Sequence, residues 1–214
     1  MNVYEQLARG QGIRGEYCGS WETAIVAAGA RTDDEHFHFR WQPGVAVAAN
    51  TSSKCLVTYI AMSVIANTTF GAVAVSNQFA LFRANAWLTK SGVGTAVAMG
   101  ATCKKGLRSK TPSSMMSDGD IRINTTLNTG IRDVSDAVLE TNALWRASWP
   151  AGTQAPTQPV LVPFDVNRSG KPIVLEGPTA ATAEGLVITA PDIQAAGTWI
   201  MTVWMEWIET EPVK

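Results

Sequence analysis

The feature of this chain that most limits its fold is a two-residue alternation of apolar and polar side chains, in segments separated by turn residues. A period of two is typical of a β-strand, because successive side chains point to opposite faces of a sheet. In residues 198–209 one face carries Trp199, Met201, Val203, Met205 and Trp207, and the other carries Ile200, Thr202, Trp204, Glu206 and Ile208. A helical period is found only in residues 3–8, which Gly10 and Gly12 soon follow.

The alternation recurs along most of the chain. The predicted strands are residues 36–41, 54–66, 78–89, 95–99, 120–126, 137–145, 159–162, 172–175, 185–189 and 198–209. Turn residues separate these strands, and no helical span or internal repeat lies between them. Short strands that follow one another in this way favour an antiparallel sandwich or barrel. We therefore predict an all-β, antiparallel β-sandwich, jelly-roll-like, at residues 21–214, with an extended N-terminal arm at residues 1–20.

Charge and composition narrow the class of protein. Lys and Arg number 17 and Asp and Glu number 18, so the net charge is −1. This charge excludes a protein whose whole surface binds polyanions. Charged residues are only 16% of the chain, which also holds eight Trp. Because subunit interfaces are poor in charge and rich in aromatic residues, this composition favours an oligomer.

Signals for export and for a membrane are missing from the sequence pattern. Residues 1–22 contain no apolar stretch after a basic start, and residues 55–66 are too short to span a bilayer. Cys18, Cys55 and Cys103 show no CxxC spacing and are interpreted as reduced thiols. We expect synthesis in a cytoplasm and no membrane partner.

The best candidate for catalysis is the strand that holds the chain's two histidines. His36 and His38 share a face and follow Asp33, Asp34 and Glu35, so a metal ion is one possible ligand. The pattern resembles the start of the metal site of cupins, which implies a metal-dependent enzyme. A cupin, however, needs a Glu four or five residues later and a third His, and neither is present. We predict a solvated polar strand face, no cofactor and no enzyme.

A basic cluster lies in the middle of the chain, where Lys104, Lys105, Arg108 and Lys110 fall within residues 104–110. It predicts an exposed loop, or a contact with phosphates or with an acidic protein surface. No aromatic residue is interleaved with it, so nucleic acid is not the expected partner. The available acidic complements are residues 33–35, Glu206, Glu209 and Glu211.

The tryptophans of residues 198–209 leave open a sugar-binding alternative. Trp199 and Trp207 on one face, or Trp204 on the other, would form a platform on which sugar rings stack. Tryptophan at a period of two in an apolar strand is more often a core or subunit contact. The carbohydrate- or receptor-binding module therefore stands as the alternative function.

Three segments near the end of the chain carry a resemblance. Residues 184–189 (EGLVIT), 196–199 (AGTW) and 202–207 (TVWMEW) are similar to the ending of small virion-associated β proteins of tailed bacteriophages, and residues 117–123 (SDGDIRI) resemble the same group. The resemblance implies a non-enzymatic structural protein of the particle: a capsid decoration or cement protein, a collar or neck component, or a tail component. It implies a virion location, assembly in the host cytoplasm, and symmetric oligomers, commonly trimers.

The expected partners are copies of this chain and a major capsid, portal or neck, or tail protein. As contact residues we predict Tyr4, Leu7, Arg9 and Arg14 of the arm, the basic residues Lys104, Lys105, Arg108 and Lys110, and the indoles of Trp199, Trp204 and Trp207. In this hypothesis the arm is the tether, so deletion of residues 1–20 leaves the β domain folded and abolishes attachment to the particle.

Overall fold

The described part of the chain is almost entirely β-structure. The computed structural model describes residues 11–24, 26–27, 35–43, 53–68, 77–85, 87, 94–99, 113–124, 138–149, 160–177, 182–189 and 198–212. Its strands are β1 (Gln11–Glu22), β2 (Val26–Ala27), β3 (Glu35–Trp41), β4 (Lys54–Thr68), β5 (Asn77–Asn85), β6 (Thr95–Ala96), β7 (Ile121–Ile123), β8 (Val138–Leu139), β9 (Trp145–Trp149), β10 (Val160–Asp165), β11 (Ile173–Glu176), β12 (Glu184–Thr189) and β13 (Thr198–Pro212), and helix α1 is Val166–Ser169. No helix in these ranges is long and apolar enough to cross a membrane.

The strands form two antiparallel sheets. Sheet A has the order β1-β13-β4-β10, with β2 also beside β13 and β11 beside β4. Sheet B has the order β6-β7-β3-β12-β5-β8, with β9 also beside β5. Consecutive strands β3, β4 and β5 alternate between the sheets, as in Greek-key sandwiches. The predicted all-β sandwich is confirmed, and its jelly-roll arrangement stays a prediction.

The core lies between the two sheets and confirms the predicted faces of the last strand. Trp199, Met201, Val203, Met205 and Trp207 of β13 are each at most 2% exposed. The ring of Trp207 lies 5.3 Å from that of Phe39 in the opposite sheet and 5.8 Å from that of Tyr17. Each buried aromatic side chain removes about 150–250 Å² from water, so these contacts are a major source of stability.

The N-terminal segment is part of the sandwich, which corrects the predicted arm. Residues 11–20 belong to β1, which pairs with β13 from Gln11–Pro212 to Glu22–Thr202. Tyr17 is fully buried, and Trp21 packs against the core. Gly19 leaves room for the indole of Trp21, because a Cβ there would lie 2.2 Å from that ring. The prediction of a free arm is therefore wrong from residue 11 onward, and residues 1–10 lie outside the described residues.

An irregularity in β4 changes which of its side chains face the core. Glu206 pairs with Tyr59 and Trp207 pairs with Val57, so Thr58 is an extra residue in β4. Such a bulge reverses the alternation on one side of it. Cys55 and Val57 consequently share the core with Ile60, Met62 and Val64, whereas strict alternation had placed the first two on the opposite face.

Candidate functional site

The structure locates four of the predicted contact residues. Those that lie outside the described residues are Tyr4, Leu7, Arg9, Lys104, Lys105, Arg108 and Lys110. Arg14 lies at the irregular end of β1, where its guanidinium pairs with Glu211 at 3.3 Å and donates to the Ser113 carbonyl at 3.2 Å. The other three are the tryptophans of β13, and the structure separates them into two groups.

Trp199 and Trp207 lie in the core of their own chain. They are 2% and 1% exposed. The ring of Trp199 packs edge-on against His36 at 4.8 Å and against Phe79 at 5.8 Å. Because sheet B of the same chain covers both indoles, the prediction that they contact a partner is wrong.

Trp204 has the opposite orientation and lies on the outer surface of sheet A. Its side chain is exposed, at 39%. In the sheet it pairs with Ser20 of β1 on one side and with Ala61 of β4 on the other, both small residues. Its Nε1 donates to Oε1 of Glu206 at 3.4 Å. A large apolar ring is thus presented to solvent between small neighbours.

Acidic side chains surround this indole. On the same surface, Glu16 and Glu22 are exposed on β1, and Glu206 lies on β13 beside Cys18. We call the surface formed by Glu16, Ser20, Glu22, Trp204 and Glu206 the Trp204 face.

The basic residues of sheet A are both engaged by acids of their own. The strands of sheet A contain the acids Glu16, Glu22, Asp165, Glu176, Glu206, Glu209 and Glu211 but only the bases Arg14 and Lys54. Arg14 pairs with Glu211, and Lys54 Nζ lies 2.6 Å from Glu176. The described strands of sheet A therefore carry more acidic than basic side chains.

The histidine strand is buried, which corrects the prediction of a solvated face. Every residue of β3 is buried, because the strand lies between β7 and β12 and is covered on both sides. His36 Nδ1 lies 3.0 Å from Asn124 Nδ2. The ring of Trp87 covers His38 edge-on at 4.9 Å.

A bulge in β3 explains how Glu35 and His38 meet. Ile188 pairs with Phe37 but Thr189 pairs with Glu35, so His36 is an extra residue and the alternation reverses there. Glu35 Oε2 then lies 2.7 Å from His38 Nε2, with both side chains about 5% exposed or less. No group of three or more metal-ligating side chains occurs within the described ranges. Both side chains of the pair are enclosed by protein.

Glu209 is a buried carboxylate at the end of the core. From the sequence it was proposed only as a possible acidic complement to the basic cluster. It is 0% exposed and accepts hydrogen bonds from the backbone of Met115 at 2.7 Å, from Trp207 Nε1 at 3.1 Å, and from the Ser114 hydroxyl. Burial raises its pKa above the usual 4.5, although these donors and Arg14 lower it.

Two neutral acids lie near Glu209. Burial, assisted by the Glu209 charge, raises the pKa of Tyr17 to about 12 and that of the Cys55 thiol well above 9.0. Cys55 is therefore a protonated core residue.

Because Glu209 is buried, we predict that the free energy of unfolding increases on acidification. Its pKa is higher in the folded than in the unfolded chain, so the folded state binds more protons between the two values and the free energy of unfolding falls as pH rises through that window. We expect the wild-type protein to gain stability as pH decreases toward 4.5, and Glu209→Gln to lack this component. Urea unfolding over a pH series checks the difference, with Glu16→Gln as the exposed control; a difference that stays constant with pH contradicts the prediction.

A groove lies where β10, α1 and the start of β11 meet. It has a volume of about 390 Å³ and is lined by Leu144, Val162, Pro163, Phe164, Asp165, Arg168, Ser169 and Ile173. Its size is at the lower end for ligand pockets. Its charged side chains are Asp165 and Arg168, whose Oδ2 and Nε lie 3.9 Å apart.

No protein-family model matches the chain, and no curated protein matches it. The function must therefore be argued from the residues themselves. Glu16 and Glu22 of the Trp204 face were not predicted as site residues from the sequence. The signal was present as the alternation of Glu16, Cys18, Ser20 and Glu22, but Gly15 and Gly19 on the opposite face concealed a strand.

Proposed function

We propose that this chain is a non-enzymatic structural protein of a tailed-bacteriophage particle, acting as a capsid decoration or cement, collar or tail component. In this proposal it forms a homo-oligomer, with a trimer favoured, and docks on a capsid, portal or tail protein of the virion. The resemblance of residues 184–189, 196–199, 202–207 and 117–123 supports the class. An all-β sandwich is compatible with it.

The observation that carries the proposal is the exposed indole of Trp204 on the outer surface of sheet A. A tryptophan with one face in water and a rigid sheet beneath it loses little conformational entropy on binding, which is why tryptophan is enriched at binding hot spots. The apolar side chains of Ile13 and Val160, on other strands of sheet A, are also exposed, at 56% and 65%. Such a surface is suited to docking on protein.

Replacement of Trp204 tests this role. We expect Trp204→Ser to weaken co-sedimentation with the virion proteins encoded beside it by on the order of thirtyfold or more, the effect of losing a hot-spot residue. Thermal unfolding should change little, because the side chain lies on the surface. Val138→Ser, which removes another exposed apolar residue from sheet B, is the matched control and should bind normally. Wild-type binding by the Trp204 variant would refute the proposal for this surface.

Sugar binding is the second candidate, and the surroundings of Trp204 favour it specifically. Ser20 and Thr202 supply hydroxyls near the ring, and Glu22 and Glu206 supply carboxylates. Stacking on an aromatic ring with polar groups around it is a common way to bind a saccharide. A glycan that shields tryptophan fluorescence from acrylamide in the wild type, but not in Trp204→Ser, would establish this alternative. If no glycan has this effect, the proposed structural role in the particle is retained.

A further inference from the structure

We propose that the outer surface of sheet A binds the same surface of a second copy of this chain, about a two-fold axis that runs along β4. The inference rests on the proposed function, because it names the contact through which the chain forms a homo-oligomer. It starts from three exposed apolar side chains at one side of the molecule. Trp204 lies on this surface, Val160 lies on β10 at its edge, and Leu144 lines the groove beside β10, with exposures of 39%, 65% and 46%.

The register of sheet A aligns its outer side chains in rows across the strands. Trp204 pairs with Ala61 of β4, and Thr202 pairs with Ser63, which in turn pairs with Val160 of β10. The outer side chains of β4 along these rows are uncharged: Tyr59, Ala61, Ser63 and Ile65. An axis along β4 therefore brings uncharged side chains together at the centre of the contact, where subunit interfaces are depleted of charge.

A rotation about this axis exchanges the strands on either side of β4. Strand β13 of one copy then faces β10 of the other, and β1 faces the surface beyond β10, where the groove and α1 lie. Trp204 comes to lie over Val162 and Pro163, the two residues of β10 that oppose Ala61. Because a two-fold contact is reciprocal, each dimer covers two exposed indoles.

Charge complementarity supports this direction of the axis. Glu16 pairs with Ile208, Ile208 with Leu56, and Leu56 with Val174, so these four residues form one row. Leu56 and Ile208 are buried, at 2% and 8%, so the row contributes only its exposed ends to the contact. The end beyond β10 adjoins the turn that joins β10 to β11, which carries the exposed Lys171. The rotation brings Glu16 of one copy to Lys171 of the other, twice in each dimer.

A two-fold axis perpendicular to the strands does not produce this pairing. If it passed through Trp204, it would place Glu16 at the level of Ile200 on the other copy, three rows from the turn that carries Lys171. Glu16 would then face no basic residue of the described surface. The axis along β4 is therefore preferred.

Two acids of the surface do not contribute to the attraction. Glu206 and Asp165 occupy one row on either side of β4, so they face each other in the dimer. Each accepts a hydrogen bond within its own chain, from Trp204 Nε1 at 3.4 Å and from the backbone NH of Asn167 at 2.8 Å. Arg168 Nε lies 3.9 Å from Asp165 Oδ2, so a cation lies beside the two carboxylates. The attraction comes from the apolar side chains and from Glu16.

The area of the surface is sufficient for a weak dimer. Four strands about 4.8 Å apart and four rows about 6.8 Å apart, from Glu206 to Ile200, cover about 19 Å by 27 Å, or roughly 500 Å² on each copy. Specific interfaces bury at least about 1,000 Å² in total, so two such surfaces reach the lower limit. We therefore expect a dimer that dissociates on dilution, and that links two trimers where the copies also form trimers.

Charge reversal at Glu16 and Lys171, singly and together, tests the inference in the full chain. Glu16→Lys and Lys171→Glu should each weaken dimerisation on the order of tenfold in sedimentation equilibrium, because each makes two attractive pairs per dimer repulsive. The double variant restores opposite charges in both pairs and should dimerise nearly as tightly as wild type. An equimolar mixture of the two single variants should also recover association. A double variant and a mixture that stay as weak as the single variants would contradict the inference.

Glu22→Lys is the matched control for charge. Glu22 lies on the same strand and face as Glu16 but three rows away, at the level of Val160, where the rotation does not bring it to the turn. Glu22→Lys should weaken dimerisation less than Glu16→Lys, and adding Lys171→Glu should not restore it. Equal rescue of both lysine variants by Lys171→Glu would indicate an effect of total charge and would refute the register.

Replacement of Trp204 and Val160 tests the apolar part of the contact. Trp204→Ser and Val160→Ser should each weaken dimerisation on the order of tenfold or more, with cooperative thermal unfolding as the check that they fold. If Trp204→Ser does not fold, Val160→Ser gives the result, because its side chain is 65% exposed. Val138→Ser on sheet B is the control and should dimerise normally. Dimerisation of both variants at the wild-type level would show that this surface is not the interface.

Three outcomes separate this inference from the proposed function. If the wild type is an oligomer that binds virion proteins and all the variants associate equally well, the contact is wrong and the proposed function stands. If the wild type is a monomer at every concentration but binds virion proteins, the contact is wrong and the docking role stands. If it is a monomer that binds no virion protein, both are overturned.

Discussion

Deletion of residues 1–20 is expected to abolish cooperative folding. The longer deletion removes residues 11–20 of β1, which cover one edge of β13 in sheet A. It also removes Tyr17, which is fully buried and stacks on Trp207 with ring centroids 5.8 Å apart. The hydrogen bonds from Arg14 and Tyr17 to the Ser113 carbonyl disappear with it.

The size of this effect follows from the usual stability of a domain. Loss of one buried aromatic side chain costs about 3–5 kcal/mol, and a typical domain is stable by only about 5–15 kcal/mol. Removal of the strand adds the loss of its backbone hydrogen bonds to that of Tyr17. Thermal unfolding followed by circular dichroism and tryptophan fluorescence measures the result. A cooperative transition at the wild-type midpoint after deletion of residues 1–20 would show that β1 is dispensable.

This result also changes how the tether is tested. The sequence alone predicted that deletion of residues 1–20 would spare the β domain, and β1 makes that deletion unsuitable for testing attachment. Deletion of residues 1–10 is the appropriate experiment, since it removes Tyr4, Leu7 and Arg9 without entering β1. The role of these three residues in attachment stays a prediction.

The sequence predicted the fold class correctly and separated the two faces of β13 correctly, because apolar periodicity was uninterrupted there. In β13 each second residue from Trp199 to Trp207 is large and apolar, so only one face can be buried. The sequence-based prediction missed β1 because Gly15 and Gly19 alternate with Tyr17 and Trp21 on one face of the strand. Glycine contributes nothing to a pattern of apolar side chains. The position of Trp204 on the face opposite Trp199 and Trp207 followed from the predicted faces, but the burial of one face and the exposure of the other did not.

The histidine strand and β4 both depart from strict alternation, and the cause is the same in each. A bulge adds one residue and reverses every later side chain, and its position depends on the neighbouring strands. His36 in β3 and Thr58 in β4 are the extra residues, and nothing in the local alternation marks either. Burial of His36 and Arg40 was missed for a related reason: their partners Asn124 and Asp120 are distant in the sequence.

Asp120→Ala is expected to destabilise the protein by about 3–5 kcal/mol, the usual cost of removing one partner of a buried ion pair. Arg40 Nη1 lies 3.0 Å from Asp120 Oδ1, and the two side chains are 3% and 1% exposed. The substitution leaves the Arg40 guanidinium buried without this carboxylate, and the backbone NH of Ser117 loses its acceptor, Asp120 Oδ2, at 2.7 Å. The free energy of unfolding in urea measures the loss.

The exposed ion pair between Lys54 and Glu176 is the matched comparison for the buried ion pair between Arg40 and Asp120. Its atoms are closer, at 2.6 Å, but its side chains are 36% and 52% exposed, so Glu176→Ala should cost about 0–1 kcal/mol. Replacement of both buried partners, as Arg40→Met with Asp120→Leu, should recover part of the loss, because no uncompensated charge then remains in the interior. Equal costs for Asp120→Ala and Glu176→Ala would mean that burial of the Arg40 charge does not determine the stability of β3.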